Sequence, residues 1–227
     1  MAATSKSVTI TPPAKRPSTA KKAQGAGSLV TAPAELKAFH HDGGLDPNFG
    51  FARFWWEGDG PREGIAGKVL QKFHPVADPD DPAAVTAART DLLLPVDAQA
   101  DYADVRHLLE RFDAKLPTSE KHAFVQITLR FPGATNIHGP FEEARAFADE
   151  FLVAERRLAT IIVAHAPFLA GSANALHLHL LCPLRRLGAL GWGEMEPWLQ
   201  NDRGRVETFE AWTAHPERWR EGGCDLG

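Results

Sequence analysis

The amino-acid sequence predicts an α+β fold, with a mostly antiparallel central sheet and helices packed on one of its faces. Three observations lead to this prediction. Residues 121–131 alternate apolar and mixed side chains, residues 140–156 repeat apolar side chains at helical spacing, and residues 158–183 form two apolar stretches around a loop. In chain order the patterns give strand, strand, helix, strand, helix, strand, strand and helix, which is typical of an α+β layout.

Length and composition indicate one main domain behind a tail. The chain has 227 residues, of which 44% are hydrophobic, enough for a core. We expect residues 1–30 to be a disordered basic tail and residues 31–227 to be a single domain with its motif core at 121–195. The tail could hold a phosphate backbone loosely, but tails of this composition are more often simply solvated. Its basic residues are Lys6, Lys15, Arg16, Lys21 and Lys22.

The sequence shows no feature of a membrane or exported protein. No uncharged apolar run approaches the ~20 residues that a membrane-spanning helix needs, and the N-terminus has no apolar signal core. We therefore expect a cytoplasmic protein with no membrane partner. Cys182 and Cys224 have no paired spacing, so free thiols are expected. The net charge of -4 argues against a strong, uniform attraction to nucleic acid.

The first half of the chain gives weak strand signals. Residues 29–47 are predicted to be transitional, with His40 and His41 in an exposed polar turn. Residues 49–56 are aromatic and predict a strand, whose rings favour core packing over a stacking platform for bases. Residues 65–74 predict a second strand, followed by an acidic loop.

The second half gives clearer patterns. Residues 97–116 predict a helix that ends at Pro117, and residues 121–131 predict a strand with one apolar face and Arg130 on the other. A helix over 140–156 leads into the hairpin of 158–183. After it we expect a glycine-punctuated loop at 188–193 and a short helix at 206–219, broken at Pro216.

Three histidines are predicted to converge at the hairpin. His177 and His179 point the same way because side chains alternate along a strand. An antiparallel pairing centred near Gly171 sets His165 beside or diagonal to His177. Three imidazoles with open positions describe a catalytic divalent-metal site. The alternative is a polar strand face directed at water or at a backbone carbonyl.

Three arginines are candidate contacts for a phosphate group. Arg185 and Arg186 follow the histidine strand directly, and Arg130 lies on the polar face of its strand. Guanidinium groups bind phosphate through paired hydrogen bonds. For Arg185 and Arg186, the alternative is that they only solvate the end of the strand.

The stretch 141–194 resembles the core of the MobA/MobL mobilisation relaxases, in which a helix leads to a strand ending in Ile-His. In that family the strand is followed by a short loop, the run Asn-Pro-His-Ala-His, an Arg and a Gly-aromatic-Gly segment. The resemblance covers about residues 100–195 and extends upstream to the helix at 106–112 and the strand ending at Phe131-Pro132. The corresponding residues here are Ala164-His165, Asn174-Ala175-Leu176-His177-Leu178-His179 with one extra residue before the first His, Arg185 or Arg186, and Gly191-Trp192-Gly193.

The resemblance implies the HUH endonuclease class, with a ferredoxin-like or palm sheet. In that class three histidines, here His165, His177 and His179, hold Mg²⁺ or Mn²⁺ against the scissile phosphate of single-stranded DNA. The implied activity is nicking and strand transfer in plasmid mobilisation or conjugation, with accessory mobilisation proteins as further partners. The metal would polarise a phosphate oxygen and stabilise the charge of the transition state.

The nucleophile departs from the family pattern. The attacking tyrosine of the family follows the first strand near the N-terminus, whereas Tyr102 is the single tyrosine here. Tyr102 is either a relocated nucleophile or, as we favour, a packing residue. Two hypotheses follow, a DNA-nicking enzyme and a non-catalytic accessory that binds DNA or a partner protein. Cleavage by metal-activated water is a variant of the first.

A weaker alternative is a histidine-triad nucleotide hydrolase. Residues 176–182 resemble the His-X-His-X-His strand of that family. Leu181 stands at the position of the third histidine, and no upstream phosphate-binding pattern accompanies the strand.

Overall fold

The computed structural model describes residues 33–41, 44–78, 80–81 and 84–222, with side chains described up to residue 215. A six-stranded sheet in the order β1-β2-β4-β6-β5-β3 forms the centre, and all its neighbouring strands are antiparallel. The predicted α+β class with a mostly antiparallel sheet is confirmed. The sheet strands are β1 (Glu35–His41), β2 (Phe49–Glu57), β3 (Arg89–Leu93), β4 (His122–Phe131), β5 (Thr160–His165) and β6 (Leu176–Pro183).

Helices and a small hairpin complete the described part of the chain. The hairpin consists of β7 (Arg185–Gly188) and β8 (Gly191–Met195). The α-helices are α1 (Ala66–Leu70), extended by the 3₁₀ turn Gln71–Phe73; α2 (Val105–Lys115), after the 3₁₀ turn Ala100–Ala103; α3 (His138–Phe147), extended by the π-helical segment Ala148–Ala154; and α4 (Asp202–Gly222).

The described residues all belong to one compact unit. The predicted basic tail and Cys224 lie outside the described residues, and the proposed domain boundary stays a prediction. No helix in the described part is both long and apolar enough to cross a membrane.

Helices cover both faces of the sheet, whereas the sequence predicted one. On the first face α3 and α4 pack over the alternate side chains of β4 and β6. On the second face α1, α2 and the β7–β8 hairpin enclose a separate apolar cluster. The prediction of one covered face was wrong because α2, a predicted helix, packs on the face opposite α3 and α4, and because α1, read as a strand, joins it there.

Strand β6 shows how the sequence assigns side chains to the two faces. Leu176, Leu178 and Leu180 are completely or almost completely buried on the α3/α4 face. His177 and His179 alternate with them and therefore point to the second face. Cys182, in the same row as the leucines, is a buried free thiol, as expected, and burial raises its pKa to about 12.

The predicted strand at 65–74 is helix α1 with its 3₁₀ turn. Ile65, Val69 and Phe73 are buried at intervals of four residues, which is helical spacing. Both carboxylate oxygens of Asp113 on α2 accept from the Ile65 amide, at 3.0 and 3.2 Å, which satisfies a donor at the start of α1.

Further differences concern short edge elements and the last helix. Residues Glu35–His41, expected to be transitional, pair with β2 along their whole length as β1. Strand β3 was not predicted. The expected loop at 188–193 is part of the β7–β8 hairpin. Gly191, at the turn of this hairpin, has φ +86°. Helix α4 is longer than expected and continues through Pro216.

Candidate metal centre

The three histidines of the hairpin come together on the second face of the sheet. His165 on β5 is directly opposite His177 on β6, which is one of the two arrangements expected from the sequence. The ring centroids are 4.8 to 5.1 Å apart. One nitrogen from each ring lies within 4.8 Å of the others, so the group could hold a metal ion.

Two backbone carbonyls fix the protons of His165 and His177. His165 Nε2 lies 2.6 Å from the carbonyl oxygen of Lys72, and His177 Nδ1 lies 3.0 Å from that of Ala175. A carbonyl oxygen only accepts hydrogen bonds, so each of these nitrogens carries the proton of its ring. His165 Nδ1 and His177 Nε2 therefore each present a lone pair.

These two lone pairs face each other across 3.3 Å. Neutral rings with their protons placed elsewhere cannot form a hydrogen bond here, so the contact is repulsive unless a cation lies between the nitrogens. In tetrahedral zinc sites, metal–nitrogen bonds of about 2.0–2.1 Å place two nitrogens about 3.3–3.4 Å apart. The spacing of these two nitrogens therefore fits a divalent metal bound between them.

His179 completes the group from a buried position. Its Nδ1 lies 3.0 Å from the hydroxyl of Thr128, which also accepts from the Gln126 amide at 3.2 Å. When His179 donates its Nδ1 proton to that hydroxyl, its Nε2 is free to bind a metal. Such outer partners set the orientation and tautomer of a ligand histidine.

Burial keeps all three imidazoles neutral at physiological pH. Desolvation is the main cause that lowers the pKa of each ring, since the charged form loses its hydration. For His179, with additional repulsion from the Lys72 ammonium and the other two histidines, the pKa falls to about 2. Metals bind the neutral imidazole, so the rings need not lose a proton first.

A groove passes over the histidines. One cavity of about 380 Å³ includes His177, His179, Thr128 and Arg130 in its lining, and a second of about 640 Å³ includes His165 and His177. Both include Asn174 and His177, so they meet at the three-histidine group. We call these two cavities together the histidine groove.

Arg130 is the arginine that lies in this groove. It is opposite His177 in the β4–β6 register, and its guanidinium donates to the Pro47 carbonyl at 3.1 Å. Its charge contributes to lowering the pKa of His177 and His179.

Arg185 and Arg186 are not brought to the histidines. Arg185 donates to the carbonyls of Gly193 and Lys115 at 2.6 and 2.5 Å, while Arg186 pairs with the buried Glu196 at 2.7 Å. Neither lines the histidine groove. Their guanidinium groups connect the β7–β8 hairpin to its surroundings, and we leave them out of the proposed site.

Tyr102 also lies away from the groove. It is 3% exposed and packs against Trp192 and His107, with ring centroids 6.1 and 5.8 Å apart. Its side chain belongs to the apolar cluster of the second face and lines neither cavity. This position is that of a packing residue, and a catalytic role for Tyr102 stays an untested prediction.

Sequence reasoning missed Lys72, Thr128 and His40. Thr128 was placed on the correct face of its strand without a role, and His40 lines the groove rather than an isolated polar turn. Lys72 lay within a supposed strand, and the four-residue spacing of Ile65, Val69 and Phe73 was the signal that could have located it on a helical segment.

Comparison with known proteins gives a likeness of fold. No protein-family model and no curated protein matches the chain. A solved structure that describes the molecular basis of vancomycin resistance transfer in Staphylococcus aureus does match, with 17% sequence identity and a TM-score of 0.54. The match covers 72% of this chain and 89% of that chain. At this identity the likeness shows the fold alone, so this chain shares the fold of that structure over the matched part.

Proposed function

We propose that this chain is a relaxase-like protein that binds a divalent metal, Mg²⁺ or Mn²⁺, and acts on single-stranded DNA. His165, His177 and His179 would hold the metal. The observation that carries the proposal is the 3.3 Å contact between the two ring nitrogens of His165 and His177, whose protons are both placed elsewhere. Its occurrence on a relaxase-like sheet supports a phosphate ester as substrate.

The chain itself supplies positioning and charge. The Lys72 and Ala175 carbonyls and the Thr128 hydroxyl orient the imidazoles, and Arg130 is placed to donate to a phosphate oxygen. A bound metal would supply the charge that polarises a non-bridging phosphate oxygen. The histidine groove extends to both sides of the metal centre, as an extended strand of DNA requires.

The position of Tyr102 favours a second candidate function. Attack by tyrosine requires its hydroxyl to reach the phosphorus, and Tyr102 is enclosed in an apolar cluster outside the groove. A chain that binds metal and DNA without forming a covalent adduct would be an accessory module, or would cleave with water. Partner proteins of mobilisation and a cytoplasmic location stay predictions.

The first test is metal binding by the full chain. We expect His177→Ala to weaken Mn²⁺ binding by at least about 100-fold in isothermal titration calorimetry, since even outer partners of ligands contribute 10–100-fold. His138→Ala, at a histidine whose side chain is 82% exposed on α3, is the matched control and should bind as the unaltered protein does. Equal binding by His177→Ala would remove the metal centre from the proposal.

The second test is incubation with labelled single-stranded DNA and Mn²⁺, followed by a denaturing gel. A protein-linked strand that disappears in Tyr102→Phe would establish Tyr102 as a relocated nucleophile. Cleavage without a linked strand would indicate water as nucleophile. Bound metal and bound DNA without cleavage would establish the accessory module.

A further inference from the structure

Gln126 is a buried polar residue beside the three histidines, and the proposed function gives it no role. It is 5% exposed on β4 and lines the cavity that also contains Thr128 and His179. We infer that Gln126 is a positioning residue that acts through Thr128 and holds His179 in the tautomer whose Nε2 is free for a metal. The inference rests on the proposed function, since it specifies how one ligand of that centre is prepared.

The strand register directs the Gln126 amide to Thr128. Gln126 lies opposite Ala52 on β2 and Leu181 on β6, whose side chains neither donate nor accept hydrogen bonds. Its Nε2 lies 3.2 Å from Thr128 Oγ1, which in turn lies 3.0 Å from His179 Nδ1. The three side chains therefore form one line of hydrogen bonds that ends at a candidate metal ligand.

The protons of this line can be arranged in two ways. In the first, Gln126 donates to Thr128 and Thr128 donates to His179 Nδ1, so the ring carries its proton on Nε2 and has no lone pair there. In the second, His179 Nδ1 donates to Thr128, and Thr128 donates its own proton to Gln126. Nε2 then keeps its lone pair, so the metal centre needs the second arrangement.

The second arrangement requires an acceptor for the Thr128 proton. An amide nitrogen donates and an amide oxygen accepts, and a half-turn of the Gln126 amide exchanges the two. With Oε1 turned to Thr128, the proton has its acceptor, and an oxygen that otherwise has no partner among the described residues gains one. Without an acceptor at position 126, the second arrangement would leave a buried hydroxyl proton unsatisfied, which opposes it.

Two substitutions at position 126 separate the acceptor from the rest of the side chain. Gln126→Met keeps the length of the side chain and removes both donor and acceptor. Gln126→Glu, studied at about pH 8, well above the ordinary range of a carboxyl group, keeps an acceptor and removes the donor. Calorimetric titration of the full chain with Mn²⁺ measures the metal affinity of each variant.

We expect Gln126→Met to bind Mn²⁺ about tenfold more weakly, as is typical when an outer partner of a ligand is lost. Gln126→Glu should bind at least as tightly as the unaltered protein. In a Thr128→Val background the difference between the two variants should shrink by about tenfold, because the line is broken there. The difference that remains measures the direct effect of the carboxylate charge on the metal.

Gln99 provides the matched control. It is an exposed glutamine that donates to the Ala189 carbonyl and lines neither cavity of the histidine groove. Gln99→Met and Gln99→Glu should change the Mn²⁺ affinity by no more than about twofold, since exposed charges are screened.

Nitrogen-15 NMR of the histidine rings gives a second readout, without metal, because protonated and unprotonated ring nitrogens have different chemical shifts. The His179 signals are assigned by their loss in His179→Gln. We expect the ring proton of His179 on Nδ1 in Gln126→Glu and on Nε2 in Gln126→Met. A general loss of packing would not move the proton between the two nitrogens, and the same spectra show whether each variant is folded.

Two results would overturn the inference while metal binding leaves the centre standing. One is a difference between Gln126→Met and Gln126→Glu that is equally large with and without the Thr128 hydroxyl, and the other is the same His179 tautomer in both variants. If Gln126→Glu does not fold, unchanged Mn²⁺ affinity in Gln126→Met, or a ring proton on Nδ1 there, would also overturn it. If the tautomers differ as expected but the unaltered protein does not bind Mn²⁺, the role of Gln126 stands and the proposed metal centre falls.

Discussion

The second face of the sheet has two ends that differ in chemistry although the same strands form both. At one end Phe124 on β4, Ile161 on β5 and Leu181 on β6 pack under α1, α2 and the β7–β8 hairpin. At the other end the same three strands present Thr128, His165 and His179 beside an open groove. We call these the apolar end and the histidine end.

The apolar end contributes mainly to the stability of the fold, and the histidine end carries the proposed binding site. At the apolar end, side chains that are completely buried contribute through the area that they remove from water. At the histidine end, polar groups are held by single hydrogen bonds and leave two lone pairs without a proton. Tyr102 belongs to the apolar end, which explains why a lone tyrosine in the sequence need not be a nucleophile.

The prediction with the largest expected effect removes an aromatic ring at the apolar end, and it should change stability without changing metal binding. Phe112 is fully buried and its ring centroid lies 5.3 Å from that of Trp192. We expect Phe112→Ala to lower the free energy of unfolding by about 3–5 kcal/mol in urea denaturation. The folded fraction should bind Mn²⁺ with unchanged affinity, because the ring lies outside the histidine groove.

Phe39→Ala is the control for this change. Phe39 is 54% exposed on the edge strand β1, so its removal should alter the free energy of unfolding by no more than about 0.5 kcal/mol. A large loss of metal affinity in Phe112→Ala would mean that the two ends are coupled.

A smaller effect is expected from the outer partner of a ligand. Thr128→Val removes the hydroxyl 3.0 Å from His179 Nδ1 and keeps the size of the side chain. Metal affinity should fall by about 10–100-fold, because the ring loses the partner that sets its tautomer. Calorimetric titration with Mn²⁺ measures the change.

Thr160→Val provides the matched control. Thr160 is a buried threonine on β5 that contacts Cys182 on the other face of the sheet. Its replacement should leave the metal affinity unchanged. If both variants lost the metal equally, general damage to the sheet would explain the result.

The last expected effect concerns the pH dependence of stability. Burial raises the pKa of the Asp113 carboxyl from 3.8 to about 6, against the opposing effect of the hydrogen bond from the Ile65 amide. The folded chain therefore keeps a proton that the unfolded chain releases between about pH 4 and pH 6. This contribution to stability decreases as the pH rises through that range.

Asp113→Asn tests this expectation. The amide oxygen can still accept from Ile65, but the titrating proton is gone. The free energy of unfolding, measured in urea at a series of pH values, should fall less between about pH 4 and pH 6 than in the unaltered protein. An identical pH profile in the variant would show that Asp113 titrates normally.

Much of the sheet could be predicted from local patterns. The alternation in β4 and β6 gave the faces of these strands, and the pairing around Gly171 placed His165 beside His177. The helix α1 and the edge strands β1 and β3 escaped prediction, because each is short and its pattern of apolar residues fits more than one structure. Arg185 and Arg186 follow β6 closely in sequence, yet internal hydrogen bonds direct them elsewhere.

The sequence by itself determined which side chains share a face, because the two-residue period of a strand is a local property of the backbone. It therefore determined the histidine group. Only the tertiary structure decided that the carbonyl of Lys72, 93 positions away in the sequence, fixes the proton of the His165 ring. It likewise decided that Tyr102 is enclosed at the apolar end. Contacts between residues so far apart in the sequence depend on how whole helices pack across the sheet, and local sequence patterns do not specify that packing.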